Sequence, residues 1–223
     1  MKNKYSYSIM LCLILCMCSC ASYGPKNKDL TGVLSNTQQT ITNLTEKIQT
    51  TGDKMLIKTG QKLESKYREL APVLESCNEK YTLTTEYMTT LQEAQRALQR
   101  VDKDFNRISD KAFILDAIYL DYNAKLTSIK SNSKSDANSK IKVTVNSNEG
   151  EGFFVFGKLS YEQSLNIKRF RFNKPTQNAS QDFVPGYYLF WLEKDERIGE
   201  PELHLIVSNG AEEVKQLVLK TPK

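Results

Sequence analysis

Apolar side chains recur every three or four residues from residue 30 onward, and every second residue from residue 141 onward. The first spacing is typical of one face of an α-helix and the second of one face of a β-strand. Residues 131–140 are polar, have no apolar period and mark a linker. The pattern predicts an α+β chain in separate domains, with a helical region over 30–130 and a β domain over 141–223.

The helical region carries one long apolar seam. Gly52-Asp53 interrupts it, and these residue types suit the end of one helix and the N-cap of the next. Beyond this break the spacing stays near 3.5 residues, which is typical of coiled-coil packing. The seam positions are Leu30, Leu34, Thr37, Ile41, Leu44, Ile48, Leu63, Tyr67, Leu70, Leu74, Cys77, Tyr81, Thr84, Met88, Leu91, Gln95, Leu98, Val101, Phe105, Ile108, Ala112, Leu115, Tyr119, Tyr122, Leu126 and Ile129.

Pro72 falls inside this seam. A proline within a helix removes a hydrogen bond at a cost of about 3 kcal/mol, so it either kinks one long helix or opens a new one. In the second case segments 30–71 and 72–131 fold back on each other as a hairpin. We favour this hairpin over an oligomeric rod, because a lone helix of about 60 residues, roughly 90 Å long, leaves its seam exposed.

The β domain shows short alternating segments separated by Gly and Pro turns. Strands are predicted near 141–145, 153–159, 165–172, 187–192, 203–207 and 214–219. This series is typical of a small antiparallel, immunoglobulin-like β-sandwich. The run Phe183-Val-Pro-Gly-Tyr-Tyr188 resembles the corner of PEGA-like surface β-sandwich modules. That resemblance implies an accessory binding or spacer module.

The first 20 residues form a separate segment, with Lys2 and Lys4 before ten apolar residues and then Ser19-Cys20. An apolar run of this length is too short to span a membrane, which takes about 20 residues. The segment resembles the signal peptide of bacterial lipoproteins. In that family the cysteine after a small residue is lipidated and becomes the new N-terminus. The resemblance implies a signal peptide over 1–19, lipid on Cys20 and a tether over 20–29.

Removal of this segment changes the charge and the cysteine content. The formal charge falls from +5 to +3 because Lys2 and Lys4 leave, and Cys77 becomes the one thiol that carries no lipid. Lipoproteins of this family carry more than one acyl chain, and an aspartate after the cysteine tends to retain them at the inner membrane. Ala21-Ser22 lacks that aspartate. The resemblance therefore implies an envelope protein on the outer membrane.

Few residues suggest chemistry. His204 is the one histidine, in the predicted strand 203–207, and no cysteine or histidine spacing suggests a metal site. The chain contains no nucleophile elbow, P-loop or dinucleotide fingerprint. We therefore expect neither an enzyme nor a cofactor. Nucleic acid is not an expected partner, because the predicted compartment lies outside the cytoplasm.

Two strands carry candidate binding residues. Arg169 and Arg171 point to one face of the third strand, where cations could bind an acidic polymer, lipid head groups or a protein. Tyr187 and Trp191 share one face of the fourth strand and could stack on sugar rings. The alternative is an ordinary solvated strand for the arginines and core packing for the aromatic pair.

The sequence favours a lipid-anchored envelope protein that acts as a structural or interaction component. In this hypothesis a coiled-coil stalk presents the β-sandwich head to a protein partner, with the helical seam available for homo-oligomers. The alternative is a carbohydrate- or peptidoglycan-binding lipoprotein that uses the β domain.

Overall fold

The computed structural model describes residues 27–80, 82–131, 140–162, 170–208 and 214–222. Cys20, Arg169 and most of the predicted linker lie outside these ranges. The described helices are α1 Leu30–Thr51, α2 Lys54–Glu79, α3 Thr85–Lys103 and α4 Lys111–Ser131. The strands are β1 Ile141–Ser147, β2 Phe154–Leu159, β3 Phe170–Arg171, β4 Ala179–Phe183, β5 Gly186–Lys194, β6 Arg197–Ile198, β7 Glu202–Ile206 and β8 Val214–Leu219, with a 3-10 turn at Ser160–Glu162.

Helices α1 and α2 form an intrachain hairpin that turns at Gly52-Asp53, as predicted for this pair of residues. Gly52 has a left-handed φ of 68°, which a side chain would strain, and the Asp53 carboxylate accepts hydrogen bonds from the first backbone N–H groups of α2. Tyr67 packs across the hairpin and donates its hydroxyl proton to the Leu34 carbonyl at 2.6 Å. The hairpin thus buries the first part of the seam within one chain.

Pro72 neither opens a helix nor turns the chain, so the prediction of a new helix there is wrong. It lies inside α2, which continues to Glu79. Pro72 is exposed, and so is Arg68, the residue whose carbonyl loses its helical partner. Water can bond to a carbonyl on the solvent side of a helix, which makes the missing bond tolerable there.

The expected helix of about 60 residues is also wrong, because two further breaks divide it. Thr84 caps α3 by accepting a hydrogen bond from the Tyr87 N–H at 3.2 Å. The Asp110 carbonyl accepts the Ile114 N–H at 3.1 Å as α4 begins. Four helices of 19 to 26 residues can bury the seam against each other, which one long helix cannot do.

Helix α4 is the centre of the molecule. Ile118 and Tyr122 are fully buried, and on this helix only Thr127 and Lys130 are exposed. A helix buried on all sides needs neighbours on all sides. Helix α2 packs against α4, and strand β5 also packs against α4. The helical and β parts therefore share one hydrophobic core. The expectation that they form separate domains is corrected by this shared core.

The described strands form two sheets. The larger has the order β3-β2-β5-β6, with β7 also paired to β5, and the smaller has the order β4-β1-β8. Among these strands every pair is antiparallel except β1 with β8, which run parallel and place Val145 beside Leu217. The prediction of a wholly antiparallel sandwich is therefore wrong at this pair. Parallel neighbours require a long connection, and here the rest of the β region provides it.

The predicted strands correspond to β1, β2, β3, β5, β7 and β8, although residues 165–169 of the third lie outside the described ranges. Strands β4 and β6 were not predicted. Strand β4 is polar and lies at a sheet edge, so it lacks a clear apolar alternation. Strand β6 follows a two-residue turn at Asp195-Glu196, whose φ values of 48° and 66° are those of a type I′ hairpin.

Candidate functional site

Two of the predicted binding residues, Arg171 and Trp191, lie on one face of the larger sheet. Phe156 of β2 is the register partner of both Arg171 and Trp191. Directly paired residues on antiparallel strands point to the same side of a sheet, so these three form a row. The next row on the same side is Phe154, Glu193 and Ile198. We call these six residues the outer face.

Side-chain contacts order this outer face. The rings of Phe156 and Trp191 stack with centroids 6.1 Å apart, and the Arg171 guanidinium carbon lies 4.9 Å from the centroid of Phe154. The Trp191 indole N–H donates to a Glu193 carboxylate oxygen at 2.7 Å. The structure thus brings Arg171 and Trp191 together, with the Phe156 ring between them.

Exposure separates the members of the outer face. Ile198 is 68% exposed and Phe154 is 37% exposed, whereas Trp191 is only 7% exposed. A sugar ring stacks on an open aromatic surface, which Trp191 does not offer. Phe154 was missed in the sequence, because the run Phe153-Phe-Val-Phe156 is apolar on both faces and hides which phenylalanine points outward. Ile198 was missed because its short strand β6 was not predicted.

Tyr187 lies at the other end of β5 and does not join Arg171. Its register partner is Leu205, and its backbone N–H donates to the Asp121 carboxylate at 3.3 Å. Burial, followed by the charge of Asp116, raises the pKa of its hydroxyl. Tyr187 is therefore part of the contact between β5 and α4.

A fully buried ion pair holds this contact together. The Lys125 ammonium lies 2.7 and 2.8 Å from the two Asp121 carboxylate oxygens, and both side chains are 0% exposed. Lys125 also donates to the Pro185 carbonyl at 3.0 Å. A Cβ at residue 186 would lie 2.7 Å from an Asp121 oxygen, so glycine is needed for this close approach.

Burial sets the electrostatics of the pair. It raises the pKa of Asp121 and lowers the pKa of Lys125, and the opposite charge of each partner offsets part of this change. The Tyr87 ring lies under the ammonium, with Nζ 5.7 Å from its centroid. With no exposed atoms, the pair stabilises the join between α4 and the β4–β5 corner and offers nothing to a substrate.

The predicted Pro-Gly corner is present. Tyr188 donates its hydroxyl proton to the Val184 carbonyl at 2.9 Å and so closes the turn between β4 and β5. The sequence indicated this turn through Pro185-Gly186. It gave no signal for the contact with Lys125, which comes from a helix 60 residues earlier.

His204 packs inward rather than toward solvent. Its ring lies 5.9 Å from the Phe190 ring, and burial lowers the pKa of the imidazole. Within the described ranges, no three or more histidine, cysteine, aspartate or glutamate side chains are grouped as a metal site would require. None of the described helices is both long enough and apolar enough to cross a membrane.

Comparison with known protein families, curated proteins and solved structures found no match for this chain.

Proposed function

We propose that this chain is a lipid-anchored envelope protein that binds a protein partner through the outer face and performs no catalysis. The observation that carries the proposal is the pair of exposed apolar side chains Phe154 and Ile198, which lie on either side of Glu193 on the outer face, with Arg171 against Phe154. Exposed apolar side chains next to an arginine are typical of the centre of a protein–protein interface. The lipid on Cys20 is the anchor in this proposal.

Order on the outer face supports this role. Binding costs free energy when side chains lose their freedom, and stacked side chains have already lost much of it. Arg171 rests on Phe154, and Trp191 is fixed by both Phe156 and Glu193. A partner with an apolar centre and an acidic group opposite Arg171 would complement this surface.

In this proposal the helices do not form a thin stalk. They would form a broad base between the lipid and the β region, with α4 packed against β5. The β region would be the head, the role that immunoglobulin-like and PEGA-like modules have. Packing between copies through the seam is not part of the proposal, because every described seam residue is buried or half-buried within the chain.

The anchor can be tested by metabolic labelling with a fatty-acid probe. We expect the wild-type chain and the Cys18→Ser variant to incorporate the probe, and Cys20→Ser to lose it. The Cys18→Ser variant is the matched control, because it changes a cysteine of the same segment. Equal labelling of Cys20→Ser and wild type would refute the proposal that Cys20 carries the lipid.

The face can be tested by photo-crosslinking in intact cells, with a crosslinking residue at position 198. We expect one envelope protein to be captured there and none from position 61, an exposed site on α2. A second change, Arg171→Glu, should reduce the captured amount by more than about fivefold, because interface arginines are often worth over 1 kcal/mol. Equal capture from both positions, or capture that Arg171→Glu does not reduce, would refute partner binding through the outer face.

The carbohydrate alternative is an outcome of the same experiments. If purified peptidoglycan retains the chain, and Arg171→Glu and Ile198→Asp abolish retention, the face binds glycan and the protein-partner proposal is wrong.

A further inference from the structure

A second concave surface lies away from the outer face. A cleft of about 350 Å³ forms where α3 and the 3-10 turn meet β2, β3 and β4. Ligand sites commonly have volumes of about 300 to 1,000 Å³. The charged side chains of its lining are Glu86, Glu93, Glu162, Asp182, Lys140 and Lys158.

The floor of the cleft is apolar and fixed. Phe170 and Phe183 have ring centroids 5.3 Å apart, and Phe183 and Tyr188 have centroids 5.2 Å apart. Gly157 makes room for this arrangement, because a Cβ there would lie 2.6 Å from the Phe170 ring. An apolar ligand group would therefore meet a surface that needs no rearrangement.

One wall carries a buried carboxyl group. Glu162 is only 5% exposed, and among the described residues it forms no ion pair within 4.0 Å. The two other glutamates of the cleft are paired, Glu93 with Arg96 and Glu86 with Lys140. Burial first, and then the charge of Glu93 and a hydrogen bond with its side chain, raise the pKa of Glu162 to about 7, although Lys158 and Arg100 oppose this.

The charges of the lining favour a cation. Four carboxyl side chains line the cleft against two ammonium groups, and Lys140 is held by Glu86 at 2.8 Å. A buried carboxyl group becomes ionised most readily when a positive charge lies beside it. An anion would meet the carboxylates of Glu93 and Asp182 and would be repelled.

We propose that this cleft binds a small amphipathic amine, with its apolar body on the Phe170–Phe183–Tyr188 floor and its ammonium group beside Glu162 and Glu93. This site is separate from the outer face and does not depend on the function proposed for that face.

Three probes with one body and different head groups test the proposal: 4-phenylbutylamine, 4-phenylbutanol and 4-phenylbutyrate. Binding to the purified full chain is followed by protein NMR, which also locates the shifted resonances. We expect the amine to bind about tenfold more tightly than the alcohol and the carboxylate to bind most weakly, since a buried charge pair is worth a factor of this order. The shifted resonances should belong to the cleft residues.

Two variants and a matched control sharpen the test. Thr89→Trp fills the cleft from an exposed wall position, whereas Gln99→Trp adds the same ring to an exposed site on α3 outside the cleft. The first should abolish amine binding and the second should leave it unchanged. Glu162→Gln keeps the shape and should remove the preference of the amine over the alcohol.

The outcomes are distinct. Equal affinities for all three head groups, retained amine binding in Thr89→Trp, or an unchanged preference in Glu162→Gln would each overturn the proposal. Thermal unfolding of each variant checks that it is folded, so that a loss of binding reports on the cleft.

Discussion

At the scale of single residues, the unusual feature is the ion pair of Lys125 and Asp121, which has no access to water. Lys125 and Asp121 are four residues apart on α4, a spacing that on most helices marks an exposed pair. Here the corner at Pro185-Gly186 covers them. Removing charges from water is costly, so the pair is tolerated only while both members and their hydrogen bonds remain.

We expect Lys125→Met to lower the free energy of unfolding by about 3 to 5 kcal/mol, because it leaves the Asp121 carboxylate buried without its partner. Urea unfolding measures this change. The matched control is Arg68→Met, which breaks the exposed pair with Glu64 at the same spacing and should cost less than about 1 kcal/mol. In the double variant Asp121→Asn with Lys125→Met the loss should shrink, and a loss as large as that of Lys125→Met would contradict the explanation.

Glu162 gives the fold a dependence on pH. Its pKa is about 7 in the folded chain, above its usual 4.5, so the folded state binds a proton that the unfolded state releases. This contribution is complete below pH 4.5 and is lost as the pH rises through 7. Glu93, Lys158 and Arg100 face the same carboxyl group and moderate the effect.

We therefore expect stability to fall by about 1 to 2 kcal/mol between pH 4.5 and pH 8, a value reduced from the full shift because of partial solvent screening. The Glu162→Gln variant should show a flatter profile in thermal unfolding over this range. A profile as steep as that of wild type would assign the dependence to other groups.

At the scale of elements, local signals predicted the boundaries that depend on one or two residues. Gly52-Asp53 ends one helix and caps the next, as its residue types indicate. The breaks before Thr85 and Lys111 were not predicted, because the apolar seam runs through both without interruption. Tertiary packing decides those boundaries, since each helix is only as long as the surface that buries it.

Pro72 remains inside α2 at a cost that a substitution can reveal. We expect Pro72→Ala to raise the free energy of unfolding by about 1 to 3 kcal/mol, because it restores a helical hydrogen bond, less the entropy that proline removes from the unfolded chain. Thermal unfolding measures the gain. The control Ser65→Ala, at an exposed position of the same helix, should change stability by about 0.5 kcal/mol or less. Destabilisation by Pro72→Ala would mean that the proline shapes the helix.

At the scale of the whole molecule, the sequence predicted the α+β order and most strands but not the way the parts join. Apolar alternation and short apolar runs are local signals, so they revealed β1, β5 and β8 individually. The parallel pairing of β1 with β8 joins residues about 70 positions apart and leaves no local trace. The candidate site shows the same division: strand faces were predictable, whereas the burial of Trp191 depends on neighbours that only the fold supplies.

The shared core predicts that the helical and β parts unfold together. Helix α4 packs on α2 and β5 at once, so losing either neighbour exposes its apolar surface. We expect the denaturation curves from far-ultraviolet circular dichroism and from Trp191 fluorescence to coincide. Separate midpoints would indicate two independent domains, as the sequence first suggested.

Gly157 and Phe170 have a consequence for how this chain can vary. The space that a Cβ at 157 would need is filled by the rings of Phe170 and Phe190. In related chains, a larger residue at 157 should therefore occur together with smaller residues at 170 and 190. Enlargement of residue 157 alone would be selected against, so these three positions should vary together across related sequences.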